Sequence, residues 1–172
     1  IYSGYSGYNT FISSYRPILK TLEETDDSFY RAEKTIHRKT NDNMALNLRG
    51  LSNSTSTLNK DTIQFLKRLG YKSQSHNSKY VGGTPVSDSL LGIKYLISDD
   101  DLSHYYTEAI VDASGFTAWL NENALSIAYA VDDKIIDIVS DEYETPCDYM
   151  NAIVTAMLGE EEIVEVFVPV EI

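Results

Sequence analysis

Five residues, Ile93-Lys94-Tyr95-Leu96-Ile97, bracketed by Gly92 and by Asp99-Asp100-Asp101, constrain this chain more than any others. The run is too short for an independent helix, and it is apolar at every position but Lys94. That is the pattern of a strand central in a sheet, covered on both faces. A strand of this kind requires helices to cover it, and the sequence supplies them.

Thr145-Pro146-Cys147-Asp148 predicts a helix start: a capping hydroxyl precedes proline at the first helical position, and a carboxylate sits in the first turn. Met150, Ile153, Val154, Met157 and Leu158 then form one apolar side, and Gly159 ends the helix. Cys147, at the apolar start of this helix, is expected to be a packed thiol rather than a nucleophile. A second helix is expected over 61–69, with Asp61 and Gln64 in capping-box spacing, Ile63, Phe65, Leu66 and Leu69 on the apolar side, and Gly70 as the stop. Phe11, Ile12, Tyr15, Ile18, Leu19 and Leu22 repeat at helical spacing over 9–24, where Pro17 should restart or kink the helix. The Ser/Gly/Tyr-rich residues before it read as a flexible lead-in.

Strands are expected near 29–36, 44–48, 93–97 and 126–131, with a further one near 105–111. In the first, alternation puts Tyr30, Ala32 and Ile36 on one face and Arg31, Glu33 and Thr35 on the other, a half-buried strand. Val86 to Leu91 reads as a helical turn, and Ser52 to Thr57 as an exposed polar loop whose Asn53-Ser54-Thr55 fits a glycosylation sequon. Val164, Val166, Val168 and Val170 alternate as a strand, with Pro169 marking an edge.

These elements predict a mixed α/β (α+β) fold, a layered sheet packed against helices, whose strand order the sequence leaves open. Residues 1–27 form a lead-in and N-terminal helix, 28–160 the α/β domain, and 161–172 an edge strand or the start of a further β region. The chain starts at Ile1 without an initiating Met and stops at Ile172 inside an alternating pattern, so a piece of a longer protein is expected.

Charge removes some functions from consideration. With 14 Lys and Arg against 26 Asp and Glu, no basic stripe exists to neutralise phosphates, so no nucleic-acid partner is expected. No run approaches the roughly 20 apolar residues that a membrane helix requires. Cys147 is the single cysteine, which excludes an internal disulfide, and His37, His76 and His104 lie in no metal-binding spacing. Neither metal nor cofactor is expected in this fragment, and the spacing of the carboxylates selects no acid–base pair. A stand-alone hydrolase would need a pocket holding two close carboxylates, one of them strongly raised in pKa.

The residues most suggestive of binding are polar and mixed: Tyr30, Arg31 and Glu33 on the first strand, Asn41 and Asp42 in the turn after it, and Trp119 with Asn121 further on. The plainer reading of the first five is a strand-edge ion pair plus a turn. Thirteen tyrosines and Trp119 also suit a free-standing glycan-binding module, the alternative function.

Several segments follow one another in a telling order: Ser28-Phe29-Tyr30-Arg31-Ala32-Glu33, Asn41-Asp42, Gly50-Leu51-Ser52-Asn53-Ser54-Thr55-Ser56 and Phe65-Leu66-Lys67-Arg68-Leu69-Gly70-Tyr71. They continue through Asp88-Ser89-Leu90-Leu91-Gly92-Ile93-Lys94-Tyr95-Leu96-Ile97, Asn121-Glu122-Asn123-Ala124-Leu125-Ser126-Ile127-Ala128-Tyr129 and Pro146-Cys147-Asp148-Tyr149-Met150-Asn151. In this order they resemble the outer domain of YfhO-type bacterial membrane proteins. The resemblance implies a many-spanning parent of GT-C-like glycosyltransferase organisation, which passes sugar from a polyprenyl-phosphate carrier to a cell-envelope polymer such as lipoteichoic acid. It implies a non-catalytic domain on the extracytoplasmic face of the cell membrane, serving acceptor recognition or forming a lid. Its partners would be its own transmembrane region and a glycopolymer or polyprenyl-linked sugar, with the catalytic carboxylate elsewhere in the parent. The chain departs from the family at Cys147, where a Phe usually follows the proline.

Overall fold

The computed structural model describes residues 5–111 and 114–168. Helix α1 (Tyr5–Thr25) is followed by β1 (Arg31–Lys34), α2 (Asp42–Leu46), β2 (Asn53–Ser54), α3 (Lys60–Arg68), β3 (Lys72–Gln74) and β4 (Asn77–Lys79). The second half holds α4 (Pro85–Leu90), β5 (Ile93–Ser98), β6 (Thr107–Val111), β7 (Thr117–Leu120), two 3-10 turns and α5 (Pro146–Leu158). The fold is mixed α/β, as the patterning predicts, and its strands form two sheets. The larger has the order β1-β5-β7-β6, and the smaller has the order β2-β4-β3.

β5 is central, as its apolar run requires, with β1 parallel on one side and β7 antiparallel on the other. One face of the larger sheet receives α1, whose Ile12, Tyr15, Ile18 and Leu22 pack with Ala32, Tyr95, Ile97 and Ala118. Leu66 of α3, Leu69 at its C-cap, and Met150 and Ile153 from α5 form a separate core with Tyr71, Tyr80, Leu96 and Trp119. Helix α5 runs over the predicted residues, with a reciprocal capping box between Thr145 and Asp148 and a left-handed Gly159 at its end. Helix α3 also forms, although its cap is Asn59, whose side chain accepts the Thr62 N–H at 2.9 Å, rather than Asp61.

The departures from expectation have identifiable causes. Among the described residues helix α1 spans Tyr5–Thr25, taking in part of the expected lead-in, and runs through Pro17 without restarting. Pro17 and Ser13, four residues before it, are both exposed, so water can take the hydrogen bond that the ring cannot donate. The strand expected over 44–48 is instead the end of α2, closed by Asn47 in the left-handed conformation at φ 56°. Residues 126–131 form no strand: both edges of β7 are taken by β5 and β6, and the Ser126 hydroxyl donates to the Ala128 carbonyl at 2.6 Å in a local turn.

No strand forms over 161–168 either, because side chains of α5 occupy the backbone donors a partner strand would use. Asn151 Oδ1 accepts from the N–H groups of Val166 and Phe167, and Thr155 Oγ1 accepts from that of Val164. The remaining residues of that expected strand, 169–171, lie outside the described residues. Ser52 is buried rather than part of an exposed loop, and its hydroxyl accepts the Tyr80 N–H at 2.9 Å. Cys147 is exposed rather than packed, since the capping geometry turns this end of α5 toward solvent.

Candidate functional site

β1 is buried on both faces, so the expected alternation fails at Glu33 and Lys34, both fully enclosed. Glu33 Oε1 accepts the Ser52 N–H at 2.6 Å and the Asn43 amide at 2.8 Å, while Lys34 Nζ donates to Asn43 Oδ1 at 2.8 Å. Asn43 thus joins both charges. Burial raises the pKa of Glu33, countered by the Ser52 N–H and the Lys34 charge, and it lowers that of Lys34, countered by Glu33 and Asp42. A Cβ at Gly50 would overlap both the Glu33 carboxylate and the Asn43 amide. The knot therefore requires glycine where the chain turns back past β1.

Lys34 Nζ also reaches His37 Nδ1 at 3.1 Å. Burial, then the charges of Lys34 and Lys79, bring this imidazole down from 6.5 to about 4. The unfolded chain takes up this proton near 6.5 and the native chain only near 4, so the stability that neutral His37 contributes is complete above 6.5 and lost as pH falls to 4. Allowing for solvent screening at this partly exposed ring, wild type should lose on the order of 1 kcal/mol relative to His37→Gln across that window. Urea unfolding of both proteins at several pH values checks this, and parallel stability profiles would contradict it.

A second buried carboxylate is Asp88 in α4. Its Oδ1 accepts the Tyr71 hydroxyl at 2.7 Å, and its Oδ2 accepts those of Tyr80 at 2.6 Å and Tyr106 at 2.7 Å. Burial raises its pKa against the pull of these three donors, and burial plus the Asp88 charge raises those of the tyrosines. The alternation of apolar residues carries no trace of this hub, because each tyrosine also reads as an ordinary apolar position.

The structure scatters the residues singled out by sequence. Asn41 braces β2, with Oδ1 accepting the Ser54 N–H at 2.6 Å and Nδ2 donating to the Ser54 carbonyl at 3.0 Å. Asp42 is buried, and its Oδ2 accepts the N–H groups of Arg38 and Lys39. Trp119 lies in the core, and Asn121 Nδ2 donates to Ser89 Oγ and the Ile93 carbonyl. Arg31 lines an apolar groove of about 500 Å3, where its Nη1 donates to the Leu91 carbonyl at 2.5 Å. Glu33, Asn41, Asp42, Trp119 and Asn121 thus have structural work, whereas Tyr30 and Arg31 line a cleft and a groove.

Tyr30 opens onto a polar cleft of about 230 Å3 between the end of α1 and the segment after α2, lined also by Glu23, Asp26, Asp27, Asn47 and Arg49. Four contacts fix its walls. The Tyr30 ring meets Tyr95 edge-on at 5.0 Å, the Arg49 guanidinium lies 4.7 Å over the Phe29 ring, and Asp26 holds Lys94 Nζ at 2.5 Å and the Tyr95 hydroxyl at 2.9 Å. Burial opposes ionisation of Asp26, but donors from Lys94, Ser28 and Tyr95 outweigh it and hold the carboxyl well below its usual range. Burial, then the charges of Asp26 and Glu23, raises the Tyr30 hydroxyl, so it stays a proton donor. The cleft offers carboxylate acceptors, phenol and guanidinium donors and an aromatic edge. Sequence reading found Tyr30 but missed Arg49 and Asp26, although Asp26-Asp27-Ser28 is a turn signal whose carboxylate accepts the Ser28 N–H at 3.0 Å.

Among the described residues, no group of three His, Cys, Asp or Glu side chains could hold a metal ion, and no helix is long and apolar enough to cross a membrane. Comparison with curated proteins and with solved structures finds no match. A family model described as bacterial membrane protein YfhO matches residues 1–171, nearly the whole chain and every motif whose order suggested it. The chain belongs to the YfhO family of bacterial membrane proteins.

Proposed function

We propose that this chain is a non-catalytic, extracytoplasmic domain of a GT-C-like membrane glycosyltransferase, and that it recognises the acceptor glycopolymer through the cleft beside α1. The single observation that carries this reading is the lining of that cleft, where Tyr30, Arg49 and a group of carboxylates share a space of about 230 Å3. That space is smaller than the roughly 300–1,000 Å3 usual for drug-sized ligands and suits one sugar or polyol unit of a chain. Carboxylates there accept hydroxyl protons, and Arg49 answers a phosphodiester or carbonyl oxygen. A non-catalytic role is supported by the fate of the two buried carboxylates whose pKa is raised. Glu33 and Asp88 are saturated by internal donors and serve the fold. The free-standing glycan-binding alternative loses its intended platform, because Trp119 is buried.

Titration of the chain with purified poly(glycerol phosphate) teichoic acid and with N-acetylglucosamine, followed by amide NMR shifts, tests the reading. Saturable shifts at residues lining the cleft are expected. Tyr30→Ala and Arg49→Ala should each weaken the response about tenfold, equivalent to about 1.4 kcal/mol. Binding that ignores both substitutions would remove the cleft from the proposal. Sugar transfer from a polyprenyl-phosphate donor by the isolated chain would remove its non-catalytic part.

A further inference from the structure

The net charge of this chain is unevenly placed. Between residues 132 and 165, Asp and Glu outnumber Lys and Arg eleven to one, whereas the rest of the chain is close to balanced. This acidic stretch supplies part of the wall of an apolar groove. Phe65 of α3 and Ile153 and Met157 of α5 line it together with Ile127, Ile135 and Ile138. Ile135 sits in the 3-10 turn Asp133–Asp137, whose terminal aspartates are exposed. Ile127 is 59% exposed, and Ile136 of the same turn is 81% exposed.

An apolar surface left open in this way marks an interaction site, and the charge around it selects the occupant. A second copy would bring the same acidic face and be repelled. An anionic lipid surface would be repelled for the same reason. The groove follows α5, which at 13 residues is about 20 Å long, enough for three to four turns of a docked helix. We propose that this groove docks a polypeptide helix with an apolar ridge flanked by Lys and Arg. The ridge fills the space between α3, α5 and the 3-10 turn, and the flanking cations meet Asp133 and Asp137. Arg31, at the groove wall, is committed by Nη1 to the Leu91 carbonyl. Its charge favours the carbonyl end of a docked helix and so sets the direction in which the helix lies.

This proposal is independent of the acceptor cleft. The probe is a synthetic Leu/Lys amphipathic peptide of roughly 18 residues, about five helical turns. It is titrated into the chain by calorimetry, beside the same peptide with Glu for Lys and beside phosphatidylcholine and phosphatidylglycerol vesicles. The Lys peptide alone should bind. Ile127→Asn combined with Val131→Asn, at two exposed groove residues, should weaken it at least tenfold with net charge unchanged. Asp133→Asn combined with Asp137→Asn should weaken it severalfold and flatten its salt dependence. Tyr30→Ala should leave it unchanged, which separates this result from the cleft. Equal binding by the apolar double variant would show that charge alone attracts the peptide and overturn the proposal. Vesicle binding, or self-association of the chain through this face, would overturn it in favour of a lipid or a second copy.

Discussion

Asp88→Ala should unfold at markedly lower denaturant concentration, with a stability loss on the order of 4 kcal/mol. The side chain is fully buried, and it is the acceptor for the hydroxyls of Tyr71, Tyr80 and Tyr106. Each buried donor left without a partner costs about 1–3 kcal/mol. Tyr71 and Tyr80 are buried and have no recourse to solvent, whereas Tyr106 is half-buried and water can serve it. At about 2–4 °C per kcal/mol for a chain of this size, the thermal midpoint should fall by about 10 °C. Tyr106→Phe provides the comparison, with an expected cost of about 1 kcal/mol. An Asp88→Ala variant as stable as Tyr106→Phe would show that the hub holds little together. The pH dependence has a definite sign. Because burial raises this carboxyl above its ordinary 3.8, the native chain keeps the proton where the unfolded chain has lost it. The group's contribution is therefore complete below 3.8 and shrinks as pH rises through the native value, and the advantage of wild type over Asp88→Asn should shrink with it.

Lys34→Met is the second substitution expected to have a large effect. It leaves the Glu33 carboxylate enclosed without its neighbouring cation and leaves Asn43 Oδ1 without its donor. Breaking a buried charge pair from one side costs about 3–5 kcal/mol. Removing both charges is another matter. In Glu33→Gln/Lys34→Met, the glutamine carbonyl still accepts from Ser52 and Asn43 and no charge remains at position 33, so part of the loss should return. A double-mutant cycle by urea unfolding measures that coupling, with about 1–3 kcal/mol expected for residues in one network. Strict additivity of the two substitutions would sink the idea that Asn43 links them.

Local chemistry decided which parts of this fold could be read in advance. The ends of α5 are visible because Thr145, Pro146, Asp148 and Gly159 act within one helical turn of themselves. β5 is visible because a central strand must be apolar whatever its neighbours do. β7 escaped notice, although Thr117-Ala118-Trp119-Leu120 between Gly115 and Asn121 carries good strand formers. The tail after α5 misled for the opposite reason. Its alternating valines predict a ladder, but Asn151 and Thr155, distant enough in sequence to be overlooked, take the backbone donors. The cleft was legible only at Tyr30, since Asp26 and Arg49 meet through the path of the chain around β1 rather than through any spacing. Glu33 and Asp42 looked like recognition groups because a charged side chain on a short strand or turn is usually solvated, and here the fold encloses both.

The parallel pairing of β1 with β5 carries a consequence for how the protein is made. Everything from Thr35 to Gly92 emerges between these two neighbours, so their ladder is a long-range closure of the kind that slows folding. Helix α1 is made before the strands of this fold, yet the surface it rests on includes Tyr95, Ile97 and Ala118. Until those residues follow, its oily stripe has only Ala32 and Leu46 of its buried native partners, and apolar surface left open in that interval invites misassembly.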